Sequence, residues 1–171
     1  MIKRDTLKNI TINNKRFELK YLNLINLIEK EDDKSKSYFN NSLLILTVES
    51  TLIISLLLNI NWKMISYFHL IIILFNLLIL FSINIGLKYF KKSIDNKDII
   101  TIEPSEETEK IKLRPEDYLT QINLDYEKNN YKNREILNDK RFANNQGIKF
   151  LRYGIIYLSF FLSYLLINVL L

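Results

Sequence analysis

Apolar residues in this chain gather in three long runs and elsewhere recur at shorter, regular spacings. The runs cover residues 43–60 (LLILTVESTLIISLLLNI), 64–87 (MISYFHLIIILFNLLILFSINIGL) and 153–171 (YGIIYLSFFLSYLLINVLL). A bilayer core of roughly 30 Å takes about 20 predominantly apolar residues in a helix, and each run comes near that length, the first carrying one glutamate. The pattern predicts three transmembrane helices, at 43–60, 64–87 and 148–171. The expected fold class is therefore mainly α and membrane-embedded, with cytoplasmic helical extensions and room for a small β element.

Between the runs the periodicity changes. Residues 7–12 (LKNITI) and 15–19 (KRFEL) alternate about Asn13 and Asn14, which reads as a hairpin because Asn tolerates the left-handed backbone of a tight turn. From Phe17 the spacing becomes helical: Phe17, Tyr21, Leu24, Ile25 and Ile28 share one face of a helix reaching Lys36. Its end, EKEDDKSK at 29–36, is too charged to enter lipid. Residues 98–103 (DIITIE) and 109–113 (EKIKL), joined by an acidic, turn-like connection, read either as a second hairpin or as an irregular linker. Pro115, followed by Glu116 and Asp117, suits a helix start. The helix predicted over 115–147 has Leu119, Ile122, Tyr126, Ile136 and Leu137 as apolar markers and Asn129, Asn130 and Asn133 interrupting its seam. Such a seam has to pack against the N-terminal helix or against copies of itself. The segment leads into the last span across Gly147, Lys149 and Arg152, which allows one continuous rod. Regions 1–41, 42–90, 91–147 and 148–171 together make one domain.

Composition narrows the function. The chain has no cysteine and one histidine, which excludes disulfides, thiolate metal sites and a His-rich centre. Three glycines cannot build a phosphate cradle, and no P-loop, G-x-S-x-G or H-E-x-x-H motif is present, so the expectation is a non-enzyme without metal or cofactor. The abundance of Asn and Ile resembles the coding bias of an AT-rich bacterial genome. Of 24 Lys and Arg, nine precede the first run, twelve lie in 88–147, Lys149 and Arg152 flank the third run, and Lys63 stands alone in the first turn. The positive-inside rule then places both polar regions in the cytoplasm, and the first turn and the C-terminus outside. Juxtamembrane Lys and Arg are explained by anionic headgroups, and no DNA partner is expected.

Candidate functional residues lie in the spans. Glu49 is a carboxyl group inside an apolar run, where it costs several kcal/mol unless neutral, paired or wet. Folding the first two runs about Asn61 brings it within about one turn of His69, so the two read as a gating pair, or Glu49 as an acid hydrogen-bonded to a neighbouring helix. Thr47, Thr51, Ser55 and Asn59 recur every four residues beside it, a stripe that either lines a water path in an oligomer or lets helices approach.

An amphipathic helix ending Asp32-Asp33-Lys34-Ser35, a hairpin of spans beginning Tyr38-Phe39-Asn40-Asn41-Ser42-Leu43-Leu44, and a long helix leading into a last span together resemble the transmembrane effector domain of Pycsar systems and the related SLATT domains. Asp32 and Lys34 match an A-D-x-K-A-like motif before the first span, with Glu31 and Ser35 in place of its alanines, and Asn41 falls near an expected Asn. Lys140 and Phe142 match a K-[FY] pattern before the last span. The resemblance implies an oligomeric effector of bacterial antiphage defence in the inner membrane, which disrupts the bilayer when a cyclic nucleotide or a soluble defence partner engages it. The alternative expectation is a membrane anchor or accessory subunit that docks a soluble cytoplasmic protein.

Overall fold

The computed structural model describes residues 4–59, 67–96, 99–100 and 115–170. Three helices account for nearly all of them: α1 (Arg4–Asn59), α2 (Tyr67–Ile94) and α3 (Pro115–Leu170). No strand occurs among the described residues. The chain divides into two compact units, one from residues 1–31 and 96–140, the other from 32–95 and 141–171.

The first unit pairs the early part of α1 with the early part of α3. Leu24 and Ile28 meet Ile136 and Leu137 in one apolar cluster, with Ile99 and Ile100 packed against its edge. Ile28 is fully buried, a change worth about 1.5–3 kcal/mol for a side chain of this size. Tyr21 and Tyr126 close the cluster edge to face, with ring centroids 5.9 Å apart. The helix predicted over 115–147 thus packs on the N-terminal helix.

In the second unit, later stretches of α1 and α3 pack with all of α2. Ile72, Ile79, Ile83, Leu87 and Phe161 form its core. Tyr38 stacks on Phe90 at 5.5 Å, and Tyr89 on Phe150 at 5.7 Å. All three glycines of the chain lie where α2 meets α3. A Cβ on Gly86 would stand 3.2 Å from the Gly147 carbonyl oxygen, and one on Gly147 would stand 2.5 Å from the Phe90 ring. Glycine is required at 147 because the ring already fills the space a side chain would take.

Buried positions follow a seven-residue repeat: 21, 28, 35, 42 and 49 in α1, 72, 79, 86 and 93 in α2, and 133, 140, 147, 154 and 161 in α3. A sustained repeat of seven against 3.6 residues per turn is the pattern of left-handed, knobs-into-holes packing.

Two expectations are corrected. Residues 7–19 are helical, not a hairpin. Asn costs a helix only a few tenths of a kcal/mol more than its neighbours, and residues 4–59 contain no Gly or Pro to stop it. The second apolar helix runs on to Ile94, beyond the expected end at residue 87, because Lys88, Lys91 and Lys92 suit a helix C-terminus. Of the expected strands at 98–103 and 109–113, only Ile99 and Ile100 are described, and they belong to no regular element; the rest lie outside the described residues. Among the described residues one segment, His69–Ile94, is long and apolar enough to cross a membrane. The end of the third run, from residue 165 on, lies outside the described side chains.

Candidate functional site

In the second unit the core carries polar groups at successive levels of the seven-residue repeat. Ser35, Ser93 and Asn144, one from each helix, are all buried. The Ser35 hydroxyl donates to Asn144 Oδ1 at 2.7 Å and lies 2.8 Å from Ser93 Oγ. Since Ser35 has one proton, committed to Asn144, the Ser93 hydroxyl donates to Ser35. Two turns on, Ser42 is buried and its hydroxyl oxygen has no hydrogen-bond partner.

Two further turns on lies Glu49, only 2% exposed, with no partner at Oε2. The antiparallel stacking of Tyr38 on Phe90 sets the register of α1 against α2. Counting on from it puts Glu49 level with Ile79, and Asn76 about 4.5 Å further along the axis. Asn76 is equally buried; its Nδ2 donates to Ile72 O at 2.7 Å and its Oδ1 has no partner. An apolar cavity of about 70 Å³, lined by Ile45, Ile79, Ile83, Leu151, Gly154, Ile155 and Leu158, lies beside this level. Lacking polar partners on its walls, such a cavity stays dry. Among the described residues no group of three or more His, Cys, Asp or Glu is arranged for a metal.

The structure separates Glu49 from the stripe expected beside it. Thr47, Thr51 and Ser55 are exposed, on the outer face of α1. The Thr47 hydroxyl donates to Leu43 O and the Thr51 hydroxyl to Thr47 O, each at 2.9 Å, so both are satisfied within their own helix. Two residues apart on a helix means about 200° of rotation, which is why a stripe at four-residue spacing cannot include Glu49. The side chain of Asn59 lies outside the described residues. His69 is half-buried and engaged, but Glu49 Oε2 accepts no hydrogen bond from it or from any other described residue. Ser159 and Ser163 of α3 repeat the α1 pattern, bonding to Ile155 O and Ser159 O at 2.9 Å.

Of the motif positions, Asp32 is half-buried, Lys34 and Phe142 are exposed, and Lys140 is buried. A buried ammonium needs a counter-charge, and Lys140 is engaged. Lys140 lies three residues past Leu137 and Glu31 three past Ile28; since Ile28 and Leu137 share a core, the two charges stand at matching levels of the first unit.

A second arrangement in the first unit was not anticipated. Asn133, fully buried, uses its carboxamide on both main-chain groups of Ile100: the Ile100 N–H donates to Oδ1 at 3.0 Å, and Nδ2 donates to Ile100 O at 3.2 Å. The Tyr21 hydroxyl donates to the same carbonyl at 3.1 Å. The break Asn133 makes in the apolar seam was the available signal. Next to it is an open cavity of about 630 Å³ lined by Ile100, Lys132, Glu135, Ile136, Asn138 and Asp139. One cation against two carboxylates disfavours a phosphate there. A shallower groove of about 360 Å³ is lined by Leu124, Glu127, Lys128, Tyr131 and Lys132, with the ring of Tyr131 exposed.

Comparison with protein-family models, with curated proteins and with solved structures finds no match to this chain.

Proposed function

We propose that this chain is a three-span bacterial inner-membrane effector of the Pycsar type, which self-associates and permeabilises or depolarises the membrane when a nucleotide signal engages its cytoplasmic unit. The observation that carries the reading is the outer surface of the second unit. Large apolar side chains face outward on all three helices, including Leu44 at 66%, Phe81 at 65% and Phe160 at 62% exposure. Apolar faces on every side are unstable in water and suit lipid. The interior of the same unit buries Ser35, Ser42, Glu49, Asn76, Ser93 and Asn144 among its apolar side chains, a polar content that suits a helix bundle surrounded by hydrocarbon. The outward Thr47 and Thr51, each bonded within its own helix, and the outward Ser55 support contact between copies, since small hydroxylated residues let helices approach in a bilayer. The reading has the N-terminus and the α3 start inside and the C-terminus outside, and involves no catalytic step. The groove of Lys128, Tyr131 and Lys132 is the place the signal would bind.

A second reading, an anchor for a soluble partner, is favoured by exposed Leu124 and Tyr131 on α3 of the first unit. One experiment decides between them. Protein in liposomes with a potential-sensitive dye, titrated with cyclic mononucleotides, collapses the potential and runs as a defined oligomer in the effector reading. A monomer that leaves the potential intact under every nucleotide belongs to the anchor reading.

A further inference from the structure

We infer that the seam between α2 and α3 in the second unit binds the headgroup of an anionic phospholipid. The inference rests on the membrane placement proposed above and adds the class of lipid that the seam selects.

The patch is built on three rings. Tyr89 of α2 stacks on Phe150 of α3 at 5.7 Å, and Tyr153 meets Phe150 edge to face at 6.1 Å. The first two are half-buried and Tyr153 is exposed, so the row closes the seam at its surface. The helices run antiparallel here, with Gly86 close to Gly147 and Ile83 close to Gly154. Side chains on a helix lean toward its N-terminus, so Lys88 beside Tyr89 and Lys149 beside Phe150 lean toward each other along the seam. Arg152, about one turn from Lys149, is exposed as they are.

The charge of the patch has one sign. Lys88, Lys91, Lys92, Lys149 and Arg152 are all exposed, and neither 67–94 nor 141–171 contains an Asp or Glu. Of the carboxyl groups in the second unit, Glu49 is buried, while Asp32, Asp33 and Asp95 lie beyond Lys36 and Lys92 along the chain, away from the apolar surface. That surface begins at once on the other side, with Phe81 of α2 and Ile155, Ile156 and Phe160 of α3 exposed. A ligand spanning this step has an anionic head and a hydrocarbon tail, and a free phosphate has no tail. Basic side chains at a bilayer surface attract anionic lipid, and aromatic rings settle at the same level. Tyr153 decides among headgroups. Lys149 Nζ lies 6.0 Å from the centre of its ring, so the ring face that a choline ammonium would use already carries a cation. The seam therefore favours a headgroup of net negative charge over a zwitterionic one.

Full-length protein in vesicles of phosphatidylcholine and phosphatidylglycerol in equal amounts is extracted in mild detergent, and the lipid it retains is counted by native mass spectrometry. Phosphatidylglycerol is expected in about tenfold excess, and Lys88→Gln with Lys149→Gln removes that excess, at roughly fivefold per cation. Lys149→Arg keeps it, and helicity by circular dichroism is unchanged in every variant. A control of equal charge on the first unit, Lys15→Gln with Lys20→Gln, leaves retention as it was. Equal retention of the two lipids, an excess that survives the double variant, or its loss in the control overturns the site and leaves the membrane placement standing. Displacement of the retained lipid by millimolar glycerol phosphate makes a free anion the ligand and overturns the lipid assignment. Protein that floats with neither phosphatidylcholine vesicles nor the mixed ones overturns both.

Discussion

Glu49 shows how far a single residue departs from its surroundings. Its carboxyl group is enclosed by the helices of its own chain, away from the outward hydroxyl stripe. Burying a polar group without a hydrogen-bond partner costs about 1–3 kcal/mol, and more where it carries charge, a cost that an apolar or neutral replacement reduces. Glu49→Leu and Glu49→Gln should therefore raise the melting temperature of detergent-solubilised protein and leave oligomer size unchanged, while lowering depolarisation in the dye assay. Unchanged melting together with full activity would remove Glu49 from the mechanism. At Tyr126 the effect runs through pH. Burial, then the charges of Glu18 and Tyr21, raise its phenol above the ordinary value of 10.0. Between the unfolded and folded pKa the unfolded state binds fewer protons, so stability falls as pH rises above about 10. Tyr126→Phe should flatten that fall in melting curves taken from pH 9 to 11.

At the scale of elements, contact between α2 and α3 depends on glycine. Gly147→Ala drives a methyl group into the Phe90 ring and should cost about 1–3 kcal/mol. Phe90→Leu in the same chain should recover part of it, which thermal melts of the single and double variants will show. The Ser35–Ser93–Asn144 layer makes the opposite test. Ser35→Ala removes the bonds to Asn144 Oδ1 and Ser93 Oγ and should cost about 1–3 kcal/mol. Replacing all three residues with apolar ones should restore or exceed the starting stability, since a whole buried polar network is more dispensable than one of its members. A triple variant no more stable than Ser35→Ala would mean that the layer contributes net stability of its own. These helices were legible early. Phe17, Tyr21, Leu24, Ile25 and Ile28 mark the buried face of α1, and Ile136 and Leu137 that of α3, because a 3.6-residue period survives whatever the helix packs against. The N-terminal hairpin was misread because alternation over five or six residues is too short to outweigh a helix with nothing to stop it.

For the whole molecule, the proposed three-span arrangement predicts a topology. Reporter fusions at residues 20 and 120 should be cytoplasmic and one after Leu171 outside; a cytoplasmic C-terminus would sink the arrangement. Overexpression should dissipate the membrane potential of intact cells, and a charge-reversing pair, Lys128→Glu with Lys132→Glu, should abolish the response to nucleotide without changing the basal oligomer. An unaltered nucleotide response would move the signal elsewhere in the first unit.

Sequence alone determined the helical class, the amphipathic faces and the concentration of apolar residues, since each depends on spacing along a single chain. Only the tertiary structure decided which polar residues face inward. Thr47 and Glu49 are neighbours in sequence, yet the seven-residue repeat puts one outside and the other in the core. Ser35, Ser93 and Asn144 are ordinary residues until three helices set them at one level. Asn133 looked like a flaw in a seam until the main chain of Ile100, 33 residues away, came to rest against it. Periodicity is a property of one helix, whereas a hydrogen bond between elements depends on register and rotation, which packing alone sets.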